Sequence, residues 1–171
     1  VAFLLVTGML LLVFRHILIP VLAAVALVVG IAWSFAWVVI SVGHLQLLSV
    51  IFSAILVGLG IDFALHLIAR LRLVESKHHD LPSAMAQTFR DVGPGLVTGA
   101  ITTAAAFGCT AFTAFLGVAE MGIIASGGVL LCLLAVMSVF PALIALVPNW
   151  RQRLQSIRSF NDRGLPRLVA P

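Results

Sequence analysis

The chain predicts an all-α membrane protein, and three observations lead there. Of its 171 residues 62% are apolar and only 9% charged, too little polar surface to clothe a soluble domain of this size. The apolar residues come in long runs, and about twenty such residues in a helix cross a bilayer. The ten Lys and Arg residues stand only in alternate connections between those runs, as the positive-inside rule requires of a multi-pass protein.

Breaks in hydrophobicity divide residues 1–147 into five spans, which predicts a five-helix transmembrane bundle. The first span runs from Val1 to about Phe14. It opens inside an apolar stretch with no initiator Met, charged leader or cleavage pattern, so the chain reads as a fragment of a longer polypeptide. The second covers about Ile17 to Val42, with Trp33 and Trp37 one turn apart and suited to a lipid or interface position. The third is Leu45 to Ala69. The fourth starts at Gly93-Pro94-Gly95, where a proline suits a first helical turn, and ends near Leu116. The fifth, from about Val118 to Val147, contains Pro141, a residue able to kink it.

The connections alternate in character. Arg15-His16, the loop 70–93 and the tail 148–171 are basic, whereas Gly43-His44 and Leu116-Gly117 carry no Lys or Arg. The basic side is expected to be the cytoplasm, so the net charge of +4 is a topology signal and nucleic acid is not an expected partner. Within the long loop Asp80 can cap a short amphipathic cytoplasmic helix, with Leu81, Met85, Phe89 and Val92 on one face and Gln87, Arg90 and Asp91 turned away. Such a helix would lie along the membrane surface. His78-His79 has no nearby His or Cys and reads as a solvated loop. Cys109 and Cys132 fall in separate apolar spans without metal-ligand spacing and read as small packing residues; no metal site is expected. The tail, broken by Gly164 and Pro166, reads as a linker or surface segment.

Asp62 stands apart as an acid in the middle of an apolar span, within Gly58-Leu59-Gly60-Ile61-Asp62-Phe63. Placing an ionisable group at that depth costs at least about 2.5–3.5 kcal/mol, so it marks an ion or substrate path unless it is a polar link between helices. It lies eight residues before Arg70, and Thr102 lies eight after Pro94, so the two are expected at similar depth, with Thr103 adjacent. Thr98 and Thr110 extend a ladder of hydroxyls along the fourth span. A hydroxyl can donate to a carboxylate and accept from a carboxylic acid, so it tolerates both protonation states of Asp62. Threonines in membrane helices also bond simply to their own backbone. Gly58, Asp62 and His66 recur every four residues and share a face, on which His66 either extends a proton path or packs. Gly58, Gly60 and Gly99 are small residues that allow close helix contact beside this proposed relay. Glu120, at the far-side start of the fifth span, either lines an entrance or sits among headgroups.

The ordered motifs Gly58-Leu59-Gly60-Ile61-Asp62-Phe63-Ala64, Val92-Gly93-Pro94, Thr102-Thr103-Ala104-Ala105-Ala106-Phe107-Gly108 and Phe140-Pro141-Ala142-Leu143 resemble the resistance-nodulation-division (RND) permease superfamily. Within it the chain is most similar to the MMPL-type branch, which includes hopanoid and other lipid exporters. The resemblance implies that the spans are helices two to six of one six-helix repeat, and that Asp62 is the intramembrane proton-relay acid, with Thr102, Thr103 and His66 as candidate partners. Many members carry Tyr where Phe63 stands. It also implies an extracytoplasmic domain and a second repeat elsewhere in the protein, a lipid or hydrophobic substrate, protons as coupling ion with no other cofactor, and a bacterial inner-membrane location. Self-association into a homo-oligomer is compatible with this. The alternative is a sterol-sensing-domain-like module that binds lipid without transporting it; a preprotein-translocase subunit fits Gly58 to Phe63 less well. No nucleophile with a placed base and no phosphate-binding glycine loop is present in the sequence, so no enzyme is expected.

The charge pattern predicts that single cysteines at Lys77 and Arg153 in the full-length protein are labelled by impermeant reagents from the same side; labelling from opposite sides would mean the spans are miscounted.

Overall fold

The computed structural model describes residues 18–44, 47–75 and 80–147. The first expected span, His78-His79 and the basic tail lie outside the described residues. Within them the chain forms four α-helices, α1 (Leu18–Ser41), α2 (Leu47–Val74), α3 (Leu81–Cys109) and α4 (Leu116–Ala145), with a 3₁₀ turn at Thr110–Phe112 before α4. All four are long and apolar enough to cross a membrane.

The ends of the helices follow from local chemistry. α1 stops where the N–H groups of Val42 and Gly43 both return to the Val38 carbonyl, at 3.0 and 3.1 Å. Gly43 takes φ +80°, a left-handed conformation that costs glycine no Cβ clash. α3 begins as the sequence predicts: the Asp80 carboxylate accepts from the Ser83 N–H at 3.0 Å, and Pro82 sits in the first turn, where its missing N–H is not needed.

α3 also brings a correction. The amphipathic segment expected over 81–92 and the span expected from Pro94 are one continuous helix. Glycine before Pro94 removes the side chain that would crowd the proline ring, and only one backbone N–H is lost. The expected apolar face holds, with Met85 buried and Leu81, Phe89 and Val92 half-buried. Ala84 and Thr88 are fully buried beside them, so this face packs on the bundle instead of a membrane surface. α4 likewise runs on through Pro141.

α4 is the central helix and packs on α1, α2 and α3, with α2 also touching both α1 and α3. The core comprises Leu27, Phe52, Leu67, Leu71, Val129, Val136 and Phe140, all essentially inaccessible. Along the antiparallel seam of α1 and α4, side chains of one helix meet backbone of the other. The Ser34 hydroxyl donates to the Gly30 carbonyl at 2.8 Å and, across the seam, to that of Gly128 at 3.2 Å. The Trp37 indole donates to the Ile123 carbonyl at 3.2 Å, with its ring over Gly127, where a Cβ would collide with it. Of the two tryptophans read as lipid-facing, Trp33 is exposed, while Trp37 is a seam residue because Gly127 leaves it a seat. Similarly, Cys132 is buried as expected, whereas Cys109 ends α3 and is exposed.

Gly60 is the tightest point of α2. A Cβ there would overlap Leu27 and come within 2.6 Å of the Cys132 sulfur. Gly60→Val should therefore destabilise the folded protein by about 1–3 kcal/mol, seen as a lower unfolding midpoint in detergent. A valine at the exposed Ala54, Ala54→Val, which adds two carbons where nothing crowds them, should leave that midpoint unchanged.

Candidate functional site

Asp62 lies near the middle of the 28-residue α2 and is exposed. Its neighbours Ile61 and Phe63 are buried, since α2 turns them toward the core and its 62–66–69 edge outward. His66 is exposed one turn further along that edge. Among the described residues Asp62 accepts no hydrogen bond, and His66 makes none.

On α3 the hydroxyls divide by role. Thr98 and Thr102 are exposed and bond into their own helix: Thr98 to the Pro94 carbonyl at 2.8 Å, and Thr102 to the carbonyls of Thr98 and Gly99, both at 3.0 Å. Thr103 is half-buried. Thr110 is a packing residue: it donates to the Phe107 carbonyl at 2.7 Å and lies 3.4 Å from the Val118 carbonyl, against Gly122 of α4. The glycines separate too. Gly60 faces α1 and α4, while a Cβ at Gly58 or Gly99 would have nothing within 4 Å.

Two contacts set the register of α2 against α3. Near one end the rings of Phe52 and Phe107 meet edge to face, with centroids 5.2 Å apart. At the other end the Arg70 guanidinium grips Asp91, with Nε donating at 2.8 Å and a terminal nitrogen at 2.6 Å, both to Oδ2. Gln87 donates to the other carboxylate oxygen at 2.8 Å. Asp91, read from the sequence as turned away, is thus the partner of Arg70; the four-residue spacing of Gln87 and Asp91 was the available signal. Arg70 thus pairs with a residue three positions before Pro94. No group of three or more His, Cys, Asp or Glu side chains comes together among the described residues, so nothing there would cage a metal ion.

At the opposite end of the bundle from Arg70, His44 approaches Glu120, with Nε2 3.5 Å from Oε2. That contact joins the end of α1 to the start of α4, and the sequence offers no spacing from which to read it.

The arrangement is therefore a helical bundle with its polar seam groups satisfied against backbone and one carboxylate presented outward at mid-helix. Comparison with known proteins gives it a family. The chain is 33% identical over 124 residues to the hopanoid transporter HpnN of Rhodopseudomonas palustris (strain TIE-1), a match covering 72% of this chain and 14% of that protein. It is 32% identical over 122 residues to the hopanoid transporter HpnN of Burkholderia multivorans, covering 71% and 14%. The putative membrane protein ActII-3 of Streptomyces coelicolor is 32% identical over 102 residues, covering 60% and 14%. The matched segment thus spans 14% of the length of each of these relatives. The MMPL family profile matches residues 1–170, nearly the whole chain, and the chain accordingly belongs to the MMPL family of multi-pass membrane proteins.

Proposed function

We propose that this bundle is the transmembrane part of an exporter of lipids or other hydrophobic molecules driven by the proton gradient, with Asp62 as its intramembrane protonation site. The observation that carries the reading is an exposed carboxylate near the middle of an apolar helix, without a hydrogen-bond donor among the described residues. Left against lipid, such a group is costly. Covered by another part of the same transporter, or by water in a polar cavity between the two, it becomes a group that takes up and releases a proton.

The neighbouring residues fit supporting roles. The Thr102 hydroxyl already donates to its own backbone and keeps lone pairs free to accept from a protonated Asp62, directly or through water. Thr103 is the second candidate partner, and His66 continues the edge toward the basic end, which is the cytoplasmic end under the positive-inside rule. The relatives named as hopanoid transporters support a lipid-like substrate. Rigid rocking of the packed helices would link protonation to the rest of the transporter.

In the full-length protein reconstituted into vesicles, Asp62→Asn should reduce gradient-driven lipid export to background at normal membrane abundance. Asparagine keeps the size and hydrogen bonding of the side chain but cannot carry the proton. Thr102→Val should lower the rate by about fivefold or less, the loss of one hydrogen bond of about 1 kcal/mol that water can replace. His66→Ala should have the smallest effect of the three. Full export by Asp62→Asn would remove Asp62 from the proton path and favour a lipid-binding module that does not transport.

A further inference from the structure

The charge pattern leaves two histidine or acidic side chains at the end of the bundle opposite the basic segments, and they meet. His44 follows the left-handed Gly43 beyond α1, and Glu120 lies in the second turn of α4. Nε2 of His44 stands 3.5 Å from Oε2 of Glu120. The imidazole is 57% exposed, while the Glu120 side chain is only 15% exposed. The Oε2 atom itself is sealed from solvent and receives no hydrogen bond from any described residue. A buried carboxylate oxygen without a donor is destabilising.

Hydrogen-bond roles identify what is lacking. Nδ1 of His44 lies 3.1 Å from the Val42 carbonyl oxygen, which can only accept, so Nδ1 carries a proton. A neutral imidazole has just that one. Its Nε2 then presents a lone pair to a carboxylate oxygen, and two acceptors face each other. One added proton resolves the conflict, whether it resides on Nε2 as an imidazolium or on Oε2 as a carboxylic acid. We propose that His44 and Glu120 form a one-proton site that latches the outer ends of α1 and α4 together when loaded and releases them when empty.

Its position in the fold gives the site leverage. Deeper in the same seam Trp37 donates to the Ile123 carbonyl and Ser34 to that of Gly128, bonds that no proton makes or breaks. His44 and Glu120 are the outermost contact of that seam, the one that titration can open. From α2 and α3 no Asp, Glu, Lys, Arg or His reaches this end among the described residues; the remaining titratable side chain there is Cys109, exposed at the end of α3. Acid on this side supplies the proton and closes the latch, and alkali removes it and opens it. The site goes beyond the Asp62 reading and does not depend on it.

The test places spin labels at the exposed positions Ser41 and Leu116 of the full-length transporter in vesicles, with Cys109→Ser to remove the exposed native thiol, and reads their separation by pulsed EPR. The expected result is a short, narrow distance population at about pH 5.5 that gives way to a longer, broader one at about pH 8.5. His44→Ala should show the long population at both values. Glu120→Gln should show the short one at both, because its amide N–H donates to the Nε2 lone pair without an added proton. The wild-type response should persist in an Asp62→Asn background; its loss there would assign the effect to Asp62 and overturn the latch. An unchanged wild-type distribution across the two pH values, or a wild-type pH response in Glu120→Gln, would also overturn it.

Discussion

Close approach of backbones along α4 is the constraint on which the rest of the bundle depends. In a bilayer, lipid is as apolar as leucine, so helices gain little by hiding apolar surface from one another and must hold by packing and interhelical hydrogen bonds. α4 supplies the room for both. Gly127 seats the Trp37 ring, Gly128 lies against Leu56 and Ser34, and Gly122 receives the end of α3 at Thr110. With the backbone uncovered at these points, its carbonyls come within reach of side chains from α1. Each such bond is worth only about 0.6 kcal/mol on average, so the seam's strength lies in the number of contacts that closeness permits.

The same rule explains why polar residues fall into two groups. Ser34 and Thr88 are buried, and both donate to backbone carbonyls, which leaves neither hydroxyl hydrogen without an acceptor. Asp62 cannot be satisfied that way, because a carboxylate needs donors and the N–H groups of a helix interior are already engaged. Its partner has to come from another helix, from water or from a proton.

The two ends of the bundle are held by different chemistry. At the basic end, Arg70 contacts Asp91 through two nitrogens while Gln87 holds the other oxygen, which fixes the carboxylate geometrically. An arginine keeps its charge at any physiological pH, so this contact holds α2 to α3 irrespective of proton supply. Arg70 and Asp91 are also partly open to water, which limits the energy of the pair to about 1 kcal/mol or less and makes registry its main effect. At the other end the joining residue is a histidine, whose charge does depend on protons.

Much of this architecture is legible in the chain alone. Run length and composition determine that the helices span a membrane, because the bilayer fixes how many apolar residues a crossing needs. The Asp80 cap and the turn at Gly43 are local, set by a side chain or a dihedral within a few residues, and local chemistry can be read from sequence. The prominence of Asp62 is equally plain, since one acid in an apolar run stands out without any knowledge of its neighbours. What only the tertiary structure decides are the contacts between helices, for which sequence distance carries no information. The continuity of α3 through Pro94, the seating of Trp37 on Gly127, the register in which Arg70 meets Asp91, and the meeting of His44 with Glu120 all depend on how rigid helices dock. A shift of one turn in that docking changes every partner while leaving the hydrophobic pattern of each helix intact.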